Sequence, residues 1–128
     1  MKNNQKFETK SVRAGSIRSD QGEHSEALYL TSSFVFKNAK EAAARFGNQD
    51  EGNIYSRFTN PSVKMFEDRL SVLEGAEQCV ATSTGMSAIL ACIMSLCKAG
   101  DHIVVSKSVF GTTIKLFDNI LIKWGLQV

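Results

Sequence analysis

Apolar residues recur at helical spacing along the second half of the chain. The pattern predicts a helix that begins with Asn60 as its N-cap and Pro61 in its first turn and that ends at Gly75. Two further helices are predicted, one over 86–98 that is apolar on nearly all sides and one over 111–125 that is amphipathic. This half of the chain therefore has enough apolar surface to need a core.

Short apolar runs lie between these helices and predict strands. The segment 78–82 precedes the apolar helix, and 103–105 follows it as a β-branched run typical of parallel strands. Together they predict one βαβ unit, and 126–128 resembles the start of a further strand. Because two parallel strands cannot cover so apolar a helix, we expect an α/β domain of which the chain holds only a part.

The first sixty residues have a different pattern. Residues 1–36 predict an extended arm with little core of its own. A short helix is expected next, with Asn38 as N-cap, Glu41 as its capping-box partner and Gly47 at its end. The polar segment 48–60 is long for a connection inside a domain, a length that marks function or disorder. We therefore divide the chain into 1–60, arm and loop, and 61–128, the start of an α/β domain.

Composition narrows the classes of function. The chain has 128 residues and a formal net charge of +2, from 15 Lys plus Arg against 13 Asp plus Glu. Nothing in that balance resembles a nucleic-acid interface, which gathers basic residues on one face. The longest apolar stretch is too short for a membrane helix, and residues 1–10 lack the apolar core of a signal peptide. We expect a cytoplasmic protein that binds neither nucleic acid nor membranes.

Cysteine and histidine placement gives no metal site. Cys79, Cys92 and Cys97 form no C-x-x-C pair, and His24 and His102 are far apart. Structural metal sites need such ligands at short spacing. We expect no bound metal and three buried free thiols.

A polar turn between a predicted strand and a helix is one candidate site. Thr84, Gly85 and Met86 open the apolar helix, where free N–H groups and positive partial charge favour a phosphate. Hydroxyl residues at such a turn are also typical of a plain helix cap. The turn matches neither G-x-G-x-x-G nor G-K-[ST], and Ile89 breaks a hydrolase nucleophile elbow.

Three further residues are candidates for the same ligand. Tyr55 and Arg57 lie two apart in a segment expected to be extended, so both side chains point to one side and could clamp a phosphate. Solvated side chains are the alternative. Phe110 follows the 103–105 run at a carboxyl end, where its ring could stack on a flat cofactor or simply belong to the core.

These residues belong to a stretch that resembles a known family. The segment 53–89 reads NIYSRFTNPSVKMFEDRLSVLEGAEQCVATSTGMSAI and is similar to the signature of the Cys/Met-metabolism pyridoxal-phosphate enzymes. The resemblance extends to SVRAG at 11–15, LTSSFVF at 30–36 and SVFGTTIKLF at 108–117. Within the family it is greatest to the bacterial O-succinylhomoserine sulfhydrylases, through GEHSEALYLTSSFVF at 22–36 and through Phe110, where most members have Tyr.

The resemblance implies a fold and a set of cofactor contacts. The fold would be the arm and the beginning of the large, mostly parallel sheet domain of fold-type I (aspartate aminotransferase-like) enzymes. Pyridoxal phosphate would be held by the backbone of Gly85 and Met86, with Thr84 beside them, and Phe110 would stack on its ring without the acid–base role of a Tyr. Tyr55 and Arg57 would reach the phosphate in a partner subunit, within a tetramer built from two such dimers.

An activity is implied as well. The complete protein would make homocysteine for methionine biosynthesis by replacing the succinate of O-succinylhomoserine with sulfide. The family's Schiff-base lysine would lie beyond Val128, because Lys107 does not match its motif and is expected at the surface. The chain would then hold no catalytic residue and be inactive alone. A cystathionine γ-synthase or lyase of the same family, or a non-catalytic fragment or split-enzyme piece, are the alternatives.

Overall fold

The computed structural model describes residues 5–128. The first four residues of the predicted arm, which also belong to the segment expected to lack a signal peptide, lie outside the described part. The chain forms two compact units, Met1–Ala81 and Thr82–Val128. The division at residue 60 is a functional one and remains a prediction, since it refers to contacts in an assembled protein.

Three helices lie in the described part of the first unit: α1 (Phe7–Arg13), α2 (Ala39–Phe46) and α3 (Pro61–Glu74). Helix α1 corrects the expectation of a wholly extended arm. It has no apolar stripe, but it packs on α3, and Arg69 of α3 donates its Nε–H to the carbonyl of the buried Ala14 at 2.9 Å. A tertiary contact therefore stabilises a helix that local pattern does not predict.

Helix ends follow the predicted caps. Asn38 accepts the N–H of Glu41 at 2.9 Å, while the Glu41 carboxylate accepts the N–H of Lys37, at 2.5 Å, in place of the expected return bond to Asn38. Asn60 caps α3 with Pro61 directly after it, and Gly75 ends α3 in the left-handed region at φ 67°. Both predicted helix starts and the predicted end at Gly75 are confirmed.

The second unit contains α4 (Gly85–Leu96) and a long helical segment that changes its hydrogen bonding along its length. That segment begins as α5 (Gly111–Leu116), continues as a π-helix over Phe117–Leu121 and ends as a 3₁₀ turn over Ile122–Trp124. The predicted extent of 111–125 is correct, but the regular α-helix is not. Hydrogen bonds of the i→i+5 type place buried apolar side chains five residues apart on one face.

The core of the second unit lies under this segment. Its buried members are apolar, and the inner side of α4 packs against them; they are Leu116, Phe117, Leu121 and Leu126. No residue of α4 is itself fully buried, and Cys92 on it is exposed. The three cysteines are free as predicted, but the prediction that they are buried is wrong. Cys92 is exposed because α4 is covered on one side only, and Cys79 and Cys97, outside α4, are partly exposed.

Strand pairing differs from the predicted βαβ unit. A parallel bridge joins His102 to Gln127, with the Ile103 N–H donating to the Gln127 carbonyl at 2.8 Å. The pairing thus joins the segments on either side of α5, while 78–82 forms no bridge within the described residues. Parallel pairing is found as this single bridge, and none of the predicted strands, 78–82, 103–105 and the start at 126–128, forms a strand within the described residues. A strand forms a ladder only where a neighbour supplies hydrogen-bonding partners.

Candidate functional site

The first turn of α4 offers two unpaired backbone donors. Thr84 caps the helix by accepting the Ser87 N–H at 3.0 Å, and its hydroxyl lies 2.7 Å from the Ser87 hydroxyl. Among residues 5–128, the N–H groups of Gly85 and Met86 have no hydrogen-bond partner. A helix terminus with free N–H groups and positive partial charge suits an anion. The Thr84 hydroxyl, by contrast, is already engaged as a cap.

Space for a ligand lies directly above this turn. A Cβ atom built on Gly85 would meet no other atom within 4 Å. Met86 is different, because the buried Thr113 donates its hydroxyl to the Met86 sulfur at 3.8 Å. The Met86 side chain therefore serves packing between α4 and α5, and its backbone N–H is what faces a ligand.

Phe110 lies at the same end of the second unit. It is the N-cap residue of α5, and its carbonyl accepts the N–H of Thr113 at 2.8 Å. Because Thr113 also contacts Met86, the first turns of α4 and α5 are neighbours. The Phe110 side chain is 75% exposed, so it does not belong to the core of this unit and is available for stacking.

Tyr55 and Arg57 lie together in the first unit. The Arg57 guanidinium carbon is 5.4 Å from the centre of the Tyr55 ring and 5.2 Å from that of Phe58. Tyr55 forms an antiparallel bridge with Ser33, so the extended segment ends there. The N–H groups of Phe58 and Thr59 both donate to the Tyr55 carbonyl, and a turn, not the predicted extended segment, brings Arg57 beside Tyr55. Both side chains are exposed.

Arg57 is equipped to bind an oxyanion. Its guanidinium group makes no hydrogen bond to the described part of the chain, although two aromatic rings hold its position. A planar guanidinium presents parallel N–H donors that match phosphate oxygens, and a tyrosine hydroxyl adds one more donor. The pair is therefore free to bind a phosphate.

Arg45 supports this loop and was missed by the sequence analysis. It pairs with Glu41 at 2.7 Å and donates to the carbonyl of Asn53 at 3.2 Å. Gly52 has φ +149°, and a Cβ there would lie 2.6 Å from the Arg45 guanidinium carbon. The Gly-Asn pair at 52–53 was the available signal, since glycine allows a close backbone approach.

Three further observations concern Lys107, metal ligands and membrane-spanning helices. Lys107 is exposed in a turn after 103–105, as predicted for a surface residue. Within the described range 5–128, no group of His, Cys, Asp and Glu side chains could hold a metal ion. No helix in that range is long and apolar enough to cross a membrane.

The donor set suits a phosphate ester that carries a flat ring. Backbone N–H groups at Gly85 and Met86 and the exposed Phe110 ring lie within one unit, beside open space. Arg57 and Tyr55 form a separate group of donors in the first unit, and this group also suits a phosphate. Pyridoxal phosphate has both chemical parts, so the residues fit this cofactor.

Comparisons with known proteins agree with this chemistry. The family model for Cys/Met metabolism PLP-dependent enzymes matches residues 8–128. The chain is 60% identical over 122 residues to O-succinylhomoserine sulfhydrylase of Pseudomonas aeruginosa, covering 95% of this chain and 30% of that protein. It is 38% identical to L-methionine gamma-lyase of Treponema denticola, again covering 95% of this chain and 30% of that protein.

A solved structure gives the same picture of the fold. The chain superposes with a TM-score of 0.88 and 31% identity on a Campylobacter jejuni protein assigned as O-acetylhomoserine (thiol)-lyase, which carries N'-pyridoxyl-lysine-5'-monophosphate. The match covers 97% of this chain and 31% of that one. The predicted α/β class, the arm and first part of a fold-type I domain, is confirmed. The chain spans about 30% of the length of the curated relatives it matches, and it belongs to the Cys/Met metabolism PLP-dependent enzyme family.

Proposed function

We propose that this chain is the N-terminal part of a cytoplasmic enzyme that makes homocysteine from O-succinylhomoserine and sulfide. The 60% identity to the Pseudomonas aeruginosa sulfhydrylase is the observation that carries this proposal. Phe110 adds to it, since its exposed ring offers stacking without a phenol. The reaction is a γ-replacement in which succinate leaves and sulfide takes its place.

The residues of this chain bind and orient the cofactor. The N–H groups of Gly85 and Met86 would donate to the phosphate, Thr84 holds their helix turn in place, and Phe110 would stack on the ring. When bound, pyridoxal phosphate supplies an electron sink for the reaction. No residue of the chain is assigned a proton-transfer step, and the Schiff-base lysine is expected beyond Val128.

Tyr55 and Arg57 complete the phosphate site of a partner subunit in this proposal. Both side chains are exposed and make no side-chain hydrogen bond within the described residues, so their donors are available to another subunit. The complete protein would then be a homodimer at least, or a tetramer made of two dimers. We expect Arg57→Gln to weaken cofactor binding by about 10- to 100-fold, the usual value of charged hydrogen bonds to phosphate. Arg18→Gln is the matched control, since it removes another exposed guanidinium group from the same unit.

Product analysis of the complete protein tests the activity. With O-succinylhomoserine and sulfide supplied, homocysteine is the expected product. Cystathionine formation when cysteine replaces sulfide would favour a cystathionine γ-synthase. Release of a 2-oxo acid without a sulfur acceptor would favour a lyase, the activity named for the 38% identical relative. Absence of turnover in the complete, cofactor-loaded protein would favour the non-catalytic alternative.

A further inference from the structure

Ser56, which lies between Tyr55 and Arg57, is tied to the arm. Its N–H donates to the carbonyl of Ser32 at 2.9 Å, and its hydroxyl donates to the carbonyl of Thr31. Tyr55 and Arg57 on either side are exposed, while Ser56 is partly buried. Tyr55 is also held by its bridge to Ser33, so Ser56 is the contact to the arm that lies next to Arg57.

Asn60 supplies the third bond to Ser56. It is only 7% exposed, and its side-chain N–H₂ donates to the Ser56 hydroxyl oxygen at 2.9 Å and to the Tyr29 carbonyl at 3.0 Å. Its oxygen meanwhile caps α3 by accepting the Ser62 N–H at 2.9 Å. Each polar atom of this buried amide is thus in use.

The cap alone does not require an amide. Asp, Ser and Thr cap helices through one oxygen about as well as Asn. Asn38 illustrates this within the chain, because it caps α2 through its oxygen and its N–H₂ group donates to no described residue. The two donated bonds at Asn60 therefore serve the arm and the loop and not the helix.

We infer that Asn60 is a positioning residue for phosphate recognition by Tyr55 and Arg57, acting through Ser56. The inference rests on the proposed function, in which that pair binds the cofactor phosphate. Asn60 joins three segments, the arm at 29–31, the loop at Ser56 and the start of α3. Loss of its donors removes one of the three hydrogen bonds that hold Ser56, and we expect the loop then to hold Arg57 less firmly.

The test compares the affinities of the complete apoprotein for pyridoxal phosphate and for pyridoxal, which lacks the phosphate. The dissociation constant of pyridoxal divided by that of pyridoxal phosphate reports phosphate recognition. A general loss of stability would not change this ratio. Asn60→Asp keeps the capping oxygen and removes both donors, and we expect the ratio to fall about tenfold. Ser56→Ala leaves the α3 cap intact and should lower the ratio in the same direction, even if Asn60→Asp folds poorly.

Two further variants separate the possible failures. Asn38→Asp is the matched control, and it should leave the ratio unchanged. Arg57→Gln should lower the ratio by at least as much as Asn60→Asp does. If Arg57→Gln has no effect, the proposed function of the loop is wrong. If Arg57→Gln lowers the ratio while Asn60→Asp and Ser56→Ala do not, the loop function stands and the positioning role of Asn60 is refuted.

Discussion

The two units are stabilised by different kinds of contact. Residues 82–128 enclose three buried apolar side chains of one helical segment, including the fully buried Leu121, and that of Leu126, two residues beyond its end. The described part of the first unit buries few apolar side chains, chiefly Ala14 and Met65, and its loop is held by side-chain hydrogen bonds such as those of Asn60 and Arg45. An apolar core fixes its helices by close packing, whereas a hydrogen-bond network fixes side chains through donor geometry.

This difference matches the proposed roles of the two units. The second unit needs a firm helix terminus for backbone donors at Gly85 and Met86, which a core under α4 and α5 provides. The first unit presents exposed side chains, and hydrogen bonds fix their direction without burying them. Mutations should accordingly affect stability most in the second unit and phosphate recognition most in the loop of the first.

Leu121→Ala gives the largest expected effect. The side chain is fully buried, so the substitution removes its transfer free energy and leaves a cavity, and we expect a loss of about 2–5 kcal/mol in unfolding free energy. Urea unfolding followed by circular dichroism measures it. The neighbouring Ile122 is 46% exposed, and Ile122→Ala should cost clearly less. Equal losses from the two variants would contradict the described core.

Gly15→Ala tests the arm against α3. Gly15 has φ +73°, and a Cβ would lie 2.6 Å from the Met65 carbonyl oxygen, so strain and clash together should cost about 2–4 kcal/mol. Gly22 has φ +63° with nothing within 4 Å of its Cβ position. Gly22→Ala therefore carries the backbone strain alone and should cost about 1–2 kcal/mol. Thermal unfolding of both variants separates clash from strain, and identical shifts would rule out the close approach.

Glu26 gives the smallest effect, which is present at neutral pH and disappears on acidification. The hydrogen bond from the Arg69 guanidinium, with a second from the Ser16 hydroxyl, holds the pKa of Glu26 below its ordinary value of 4.5. The ionised carboxylate thus favours the folded state above that pH, and its contribution is lost as the pH falls through the lowered pKa. Glu26→Gln should make the decline of stability with acidification shallower. An unchanged slope in acid-unfolding curves would contradict this ion pair.

Local signals in the sequence predict much of this fold. Asn38, Asn60 and Gly75 act through residues within four positions, so the helix ends could be predicted from spacing. Helix α1 and the pairing of His102 with Gln127 depend on residues far away in the chain. Short-range pattern contains no information about such partners, and this is why the arm and the βαβ unit were predicted wrongly.

The candidate site divides in the same way. Thr84, Gly85 and Met86 were identified from a strand-to-helix turn, and the free N–H groups of the last two are a consequence of helix geometry. Asn60 was identified only as a cap. Its second role requires Ser56 and Tyr29 to approach from separate segments, which no spacing rule predicts.

Subunit complementation tests the central claim most directly, namely that Arg57 completes a site whose backbone donors belong to the partner. Two variants of the complete protein are used, Arg57→Gln and Gly85→Val, each of which should bind pyridoxal phosphate poorly as a homo-oligomer. If Arg57 acts across the interface, a hybrid dimer has one intact site, and random mixing should restore tight binding at about one quarter of the sites. If Arg57 serves the site of its own subunit, every hybrid site carries a defect, and mixing would restore no binding.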